Sequence, residues 1–295
     1  MTSIVIPAHN EESGIARLLT AVLGTATDGE LEVVVVCNGC TDRTAEVARS
    51  FGDAVVVAEL AEPSKAAALK HGDRLATTFP RIYVDADVEV DATSLRALAA
   101  TLDRPGIEAT GPERILDRSG VSRPARWYYD VWEQLPGVRQ GLFGRGVIAV
   151  SAAGHERIRA LPEVMSDDLA VSEAFAPHER AITAGAQVRV RPASTWRALV
   201  RRRVRVTIGT GQLAAAGMVR PGVQTRGSYL VRVGLAHPGL ALRIPFFAGT
   251  AVCVRVAARR RVRRGLGDVW VRDESSRGAS GPAEQPDGQV ERGAS

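Results

Sequence analysis

Two rhythms of apolar and polar positions alternate over the first hundred residues. Short β-branched runs at 3–7, 31–37, 54–58 and 81–84 are each followed by a stretch with apolar side chains three and four apart. The run at 31–37 has Glu32 as its one charged residue, which predicts a central strand buried on both faces. Helices are expected at 11–23, 41–50, 63–75 and 91–102; the first carries Ile15, Leu18, Leu19 and Val22 on one face. Thr41 or Asp42 is placed to cap the second helix, and Pro63 opens the third. Strands alternating with helices in this order predict an α/β domain, a parallel sheet covered by helices. Ligands of such sheets bind at the carboxyl ends of the strands. His9-Asn10-Glu11, Asn38-Gly39 and Asp85-Ala86-Asp87 all fall at those ends.

The pattern is less regular from 105 to 185. Gly144-Arg145-Gly146 precedes a strand-like run at 147–150, residues 152–160 read as a helix, and Asp167-Asp168 open another at 169–175. After Trp196 a basic helix is expected from 197 to about 213. Residues 273–295 are poor in bulky apolar side chains and rich in Gly, Ser and Pro, which predicts a disordered tail. The expected organisation is a domain at 1–215, a basic and partly apolar extension at 216–267, and a tail at 268–295.

Composition supports a globular chain: of 295 residues, 45% are hydrophobic and 24% charged, which excludes wholesale disorder, collagen and a disulfide mini-protein. The net charge of +5 conceals an asymmetry. Residues 1–100 carry eight Lys/Arg against fifteen Asp/Glu, whereas 186–267 carry seventeen arginines and no acid. Such a split predicts an anionic partner for the second half. Three cysteines are too few for a disulfide framework, and the start has no basic segment leading into a long apolar run. A cytoplasmic, reducing setting is therefore expected. The most apolar stretch, residues 244–254, makes only about 16 Å of helix, roughly half a hydrocarbon core. It suits an interfacial or buried segment.

Asp85-x-Asp87 at a strand end is the sharpest chemical feature. Two carboxylates on a tight turn suit Mg²⁺ or Mn²⁺, with water and phosphate oxygens filling the remaining positions. A capping acid on a solvated loop is the bland alternative, and the buried strand weakens it. Pro7-Ala8-His9-Asn10-Glu11-Glu12 reads as a nucleotide-contacting loop, or as a helix start where Glu11 and Glu12 suit the dipole. Cys37-Asn38-Gly39-Cys40 matches a redox C-x-x-C. No second pair completes a zinc site, and its neighbours suit another role. Trp127, Tyr128, Tyr129 and Trp132 at helical spacing suit core packing or, alternatively, a platform for a sugar or lipid. The five histidines show no metal-ligand spacing.

Taken together, these segments resemble family 2 glycosyltransferases. Pro7-Ala8-His9-Asn10-Glu11-Glu12 resembles their P-A-Y-N-E-E opening. Asn38-Gly39-Cys40-Thr41-Asp42-Arg43-Thr44 resembles their D-G-S-T-D-G-T loop. The stretch from Lys65 to Gly72 is similar to K-G-x-A-L-N-x-G, and Asp85-Ala86-Asp87 falls where their metal motif falls. The resemblance implies the GT-A fold, a mostly parallel sheet flanked by helices, here with a basic helical C-terminal extension. It also implies inverting transfer of a hexosyl or related group from a nucleotide-sugar donor to an acceptor hydroxyl, with Mg²⁺ or Mn²⁺ as cofactor. Carried over by position, Pro7, Ala8, Asn10 and Glu11 would line the nucleoside pocket, and Asn38 and Lys65 would sit near base and ribose. Asp85 would approach the ribose and Asp87 the metal. Asp167-Asp168 resembles the family's later acidic pair, with Asp168 as general base, although Asp168 also suits a helix cap. Arg202-x-x-Arg205-Val206 aligns loosely with Q-x-x-R-W, with Arg205 facing the diphosphate. Cys37-Asn38 replaces a pair that is usually acidic, so the donor base stays open. Arg202 for Gln and Val206 for Trp argue against a processive polysaccharide synthase.

The acceptor stays open among a glycan, a lipid-linked acceptor and a small molecule. Two arginine clusters, 201–205 and 259–264, flank apolar stretches and suit an anionic membrane surface at roughly 1 kcal/mol per arginine. That would place the chain peripherally on the inner face of the cell membrane; a solvated basic helix is the equal alternative. Nucleic acid ranks lowest, for want of a recognition motif and interleaved aromatics. Two rivals remain. A nucleotidyltransferase would need a glycine-rich phosphate loop that the segment after the first strand lacks, and the other rival is a non-catalytic membrane-associated binding protein.

Overall fold

The β-branched runs form β1 (Thr2–Ala8), β2 (Leu31–Asn38), β3 (Val55–Leu60) and β4 (Arg81–Val84), all parallel, in the order β3-β2-β1-β4. The computed structural model describes residues 1–161, 167–215, 217 and 227–264. Between the strands lie α1 (Glu12–Leu23), α2 (Thr44–Arg49) and α3 (Lys65–Leu75), and α4 (Ala92–Leu102) follows β4. Valine after valine in β2 suits its position, because both faces are covered. Val33 and Val35 pack with Ile4, Ile6 and the apolar face of α1, while Val34 and Val36 pack with Val5 and Ala68 of α3. Ser64 and Asp91 cap α3 and α4 by accepting the N–H groups of Ala67 and Ser94. The helix expected at 41–50 starts only at Thr44. Asp42 does serve its start, its Oδ1 accepting the Thr44 N–H at 3.1 Å while its Oδ2 takes the Glu12 N–H, and Thr41 is engaged by Asn10 in the loop after β1.

The second half adds β5 (Ala109–Leu116), α5 (Arg123–Trp132), α6 (Pro136–Gln140), β6 (Val147–Val150), α7 (Ala152–Arg159), α8 (Asp167–Ala174) and β7 (Arg180–Val190). The seven-stranded order is β3-β2-β1-β4-β6-β5-β7. Strand β6 runs antiparallel to both β4 and β5, and β7 is parallel to β5. The sheet is thus mostly parallel with one reversed strand. That reversal brings the amino end of β6 to the edge where β1, β2 and β4 end.

Three helices complete the described chain: α9 (Trp196–Ala215), α10 (Gly227–Ala236) and α11 (Arg243–Arg263). Helix α11 lies against α5 and α9. Phe247 stacks on Tyr128 at 4.7 Å, and Val254 and Ala258 pack with Val204 and Ile208. Arg243 pairs with Asp130 at 2.5 Å. Residues 244–254 therefore form a half-buried helix face, with Val252 exposed. No helix among the described residues is long and apolar enough to cross a membrane. The expected tail lies outside the described residues.

Candidate active site

The loops after β1 and β2 are stitched to each other. Asn10 has a left-handed φ of 51°, a conformation asparagine tolerates better than most residues. Its Oδ1 accepts the Thr41 N–H at 2.7 Å, its Nδ2 donates to Thr41 Oγ1 at 3.1 Å, and its own N–H points to Cys40 Sγ at 3.4 Å. Glu11 N–H donates to Thr44 Oγ1 at 2.8 Å. One layer down, Pro7 and Ala8 are paired in register with Val36 and Cys37. Asn38 is buried and donates through Nδ2 to the Ala8 carbonyl at 2.8 Å. His9 shares a hydrogen bond of 2.5 Å with the Asn38 carbonyl, so its ring is tied to the strand end. Pro7, Ala8, Asn10, Glu11 and Asn38 thus form one continuous rim.

The acidic turn after β4 joins this rim. Helix α1 approaches it so closely that a Cβ on Gly14 would lie 2.7 Å from the Ala86 carbonyl oxygen. Lys65, the first residue of α3, places its Nζ 2.8 Å from Asp85 Oδ1. Asp87 is open to solvent, yet protein surrounds it on the other sides, as on a cleft floor. That enclosure, and then the Asp85 carboxylate, push its carboxyl above the ordinary range, against the pull of the Arg202 and Lys65 cations. Among the described residues no group of three or more His, Cys, Asp or Glu gathers around one point. Any cation held here would take the carboxylates of this turn and find its other ligands elsewhere.

The turn at residues 144–146 links Asp85 to Asp168. Asp85 N–H donates to the Gly146 carbonyl at 2.7 Å. Gly146 has φ 67°, and a Cβ there would lie 2.5 Å from Val88 Cγ1 and 3.3 Å from Asp85 Oδ2. Two residues earlier, Gly144 N–H donates to Asp168 Oδ2 at 2.7 Å. Asp168 stands in the first turn of α8, and its Oδ1 takes the Leu169 N–H at 2.8 Å. The carboxylate therefore serves its helix start and binds the same short loop, residues 144–146, that takes the Asp85 N–H. The side chain of Asp167 lies outside the described residues.

Sequence reasoning missed Arg114. Its Nη1 donates to the Gly144 carbonyl at 3.3 Å, and its guanidinium lies 4.3 Å over the Trp132 ring. Burial lowers its pKa to about 10. Its Nε has no partner among the described residues. On α9, Arg202 is close enough to Asp87 and Arg114 for each to feel its charge, and it makes no ion pair among the described residues. Arg205 lies half-buried on the next turn of α9. Of the aromatic cluster, Tyr128 and Tyr129 are buried in the core, and Tyr129 Oη accepts the Ala193 N–H. Trp127 is exposed, edge-on to Phe246.

The sequence model of glycosyl transferase family 2 matches residues 3–154. An uncharacterized glycosyltransferase of Mycobacterium tuberculosis is 35% identical over 112 residues, which is 38% of this chain and 48% of that protein. The 4,4'-diaponeurosporenoate glycosyltransferase of Staphylococcus aureus is 39% identical over 90 residues, 29% of this chain and 24% of that protein. The match spans about half or less of the curated relatives. Among solved structures, a mannosyltransferase of Pyrobaculum calidifontis in complex with GDP-Man and Mn²⁺ superposes with a TM-score of 0.59. It is 21% identical, over 90% of this chain and 79% of that one. Glucosyl-3-phosphoglycerate synthase of Mycobacterium tuberculosis, in complex with Mn²⁺, UDP and glucosyl-3-phosphoglycerate, gives a TM-score of 0.50. Its identity is 19%, over 75% and 82% of the two chains. At these identities the likeness is one of fold, the GT-A fold of glycosyltransferases.

Proposed function

Because the chain belongs to glycosyl transferase family 2, we propose that it transfers a glycosyl group, with inversion, from a nucleotide-sugar donor to an acceptor hydroxyl. The observation that carries this reading is the turn at 144–146, which ties the acidic turn of β4 and the Asp168 carboxylate to one edge of the sheet. The rim of Pro7, Ala8, Asn10, Glu11 and Asn38 receives the nucleoside, with Lys65 and Asp85 at the ribose. The solved relatives of this fold were crystallised with GDP-Man or UDP and with Mn²⁺.

The residues present fit Mg²⁺ or Mn²⁺. Asp87 is a carboxylate whose charge is disfavoured by its enclosure and then by Asp85, and a cation offsets both. Asp87, helped by Asp85, would hold the ion, which when bound stabilises charge on the departing diphosphate. Arg202 and Arg205 on α9 add positive charge on the diphosphate side. Asp168 takes the proton of the acceptor hydroxyl as its oxygen attacks the anomeric carbon opposite the leaving group. Attack from that face inverts the configuration. Hydrogen bonds donated by the Gly144 and Leu169 N–H groups to its two oxygens hold the Asp168 carboxylate in place for this task.

The surface of the C-terminal helices supports a membrane location. Leu235, Leu242, Val252, Val256 and Val262 are exposed there, among the arginines of α11. Apolar side chains ringed by arginine suit an anionic bilayer, which supports a peripheral position on the inner face of the membrane and a lipid-linked acceptor.

A nucleotide-sugar panel read by thermal shift, with and without Mn²⁺, tests the donor reading. Stabilisation by one nucleotide sugar, dependent on the metal, is expected. Product stereochemistry by NMR then tests inversion. No response to any nucleotide sugar with metal present would favour a non-catalytic binding protein.

A further inference from the structure

Most inward-facing arginines of this chain have their donors engaged. Arg81 pairs with Asp73, Arg118 with Asp130 and Glu133, and Arg180 with Glu173. Arg145 has no acid beside it, yet its guanidinium donates to the carbonyls of Pro112, Val138, Arg139 and Gly141. Arg114 differs. A guanidinium carries five N–H donors. The Nη1 of half-buried Arg114 donates to the Gly144 carbonyl, its Nε is buried without a partner, and its Nη2 makes no bond among the described residues. It also makes no ion pair among them: Glu133, the acid whose charge it feels most, is held by Arg118.

The place of this cation in the fold is specific. Arg114 bonds the carbonyl of Gly144, the residue whose N–H holds Asp168. In the sheet order, β4 and β6 stand between β1 and β5, so three strand spacings, about 14 Å, separate the strand of Arg114 from that of the nucleoside rim. Arg114 is thus on the far side of the acidic turn from that rim, next to the proposed base. The half-buried Trp132 ring supports its guanidinium from one face at 4.3 Å. Arg202 of α9 brings a second cation that makes no ion pair among the described residues, near enough to disfavour the charge of Arg114. Removing a cation from water without a counter-ion costs stability, and a bound oxyanion supplies both the opposite charge and the acceptor atoms.

We infer that the acceptor carries a phosphate group, and that Arg114, backed by Arg202, binds it beside Asp168. A phosphate has enough oxygens to meet the Nη2 edge of Arg114 and the Arg202 guanidinium together. Closing on it lets the Arg114 fork turn and gives Nε the acceptor it lacks. The phosphate is a handle and is not itself transferred. Held there, it presents a hydroxyl of the same molecule to Asp168, with Gly144 alone spacing the two groups. Naming this ligand the acceptor rests on the glycosyl-transfer reading; the phosphate site itself does not. The same group could belong to a soluble phosphate ester or to a hydroxylated phospholipid headgroup.

The test uses the full chain, with inorganic phosphate as the first probe, read by ³¹P line broadening and thermal shift at constant ionic strength. R114Q keeps an N–H for the Gly144 carbonyl and removes the charge. R264Q removes an exposed arginine at the end of α11 and controls for binding at the basic surface. Phosphate affinity is expected to fall about tenfold or more in R114Q and to stay unchanged in R264Q. R114K, which keeps the charge without the planar fork, should lose less, and it carries the test if R114Q does not fold. No phosphate binding by the parent, equal loss in R114Q and R264Q, or a lower melting temperature in R114Q with phosphate affinity unaltered overturns the inference.

UDP and GDP binding with Mn²⁺, by calorimetry, should be unchanged in R114Q. A loss as large as that for phosphate assigns the group to the donor diphosphate and overturns the acceptor assignment. A parent that binds phosphate through Arg114 but neither nucleotide speaks against the donor reading and supports the phosphate site. Glycerol 3-phosphate, set against vesicles of phosphatidylglycerol in phosphatidylcholine, separates the two sources. Binding that is tighter than that of inorganic phosphate and lost in R114Q identifies the soluble or the lipid form; tighter binding by neither overturns the acceptor assignment.

Discussion

Asp168 and Arg114 hold Gly144 from opposite sides: the carboxylate takes its N–H at 2.7 Å and the guanidinium its carbonyl oxygen at 3.3 Å. Gly144 itself stands at φ 66°, two residues from the one that bonds Asp85. The proposed base is therefore positioned by the same loop that seats the acidic turn. Asp168→Asn keeps an oxygen for the Gly144 N–H and removes the basic group. We expect kcat to fall by about 10²–10⁴ with nucleotide affinity near that of the parent, and the melting temperature to drop slightly as the Leu169 N–H loses its acceptor. Equal activity in the variant would remove Asp168 as base.

Asp87→Asn should separate stability from function. The Asp87 carboxyl is raised, so its charged form costs the folded state stability at neutral pH. Removing that charge is expected to raise the melting temperature slightly. The same variant should lose the Mn²⁺ dependence of nucleotide binding in calorimetry. A variant that binds nucleotide and Mn²⁺ as the parent does would take Asp87 out of the metal site.

Gly146→Ala tests the turn that joins the two halves of the site. The left-handed φ and the approach to Val88 and Asp85 leave no room for a methyl group. A loss of about 1–3 kcal/mol in denaturant unfolding is expected. Nucleotide binding should weaken as well, because Asp85 must shift.

The legibility of this architecture follows directionality. Strands β1 to β4 read from sequence because each is a β-branched run between helical stretches. Strand β5 does not, since Gly111 and Pro112 interrupt its pattern, and both residues argue against a strand when met in sequence. Its neighbour β7 shows alternation only in its last residues, where Ala186, Val188 and Val190 are buried and Gln187 and Arg189 exposed. The run at 147–150 read as a strand, but four residues read alike in either direction. Its reversal is a property of pairing with β4. The carboxylates at strand ends were legible because a buried run that stops at Asp-Ala-Asp announces an edge. Arg114 was not, because its partner Gly144 is thirty residues away and reaches it only through that reversal.

Glu32 supplies a stability prediction with a defined pH window. Although burial opposes it, hydrogen bonds from Ser3 and from the Thr77 N–H and hydroxyl hold its carboxyl below the ordinary range. A depressed carboxyl contributes stability above its unfolded pKa and loses it as pH falls through the folded one. Glu32→Gln should therefore cost about 1–3 kcal/mol at pH 7. The difference from the parent should shrink below pH 4.5, the unperturbed carboxyl value, in melting curves taken across pH.

Cys40 should be the thiol that reacts first under mildly acidic conditions. Its alkylation by iodoacetamide, followed by peptide mass spectrometry, is expected to reach half its plateau rate near the value of about 6. Cys37, buried beneath it, should stay unlabelled over the same range until the chain unfolds.

The Lys65 ammonium on Asp85 gives the cleft a resident counter-ion. A donor does not arrive at a bare carboxylate; it displaces a lysine that is then free to turn toward the incoming oxygens. Occupation becomes an exchange of partners in which charge is redistributed more than gained. On that account, added salt should change nucleotide affinity less steeply than it would for a cleft lined by unopposed charge. Lys65→Met should steepen the salt response as well as weaken the affinity.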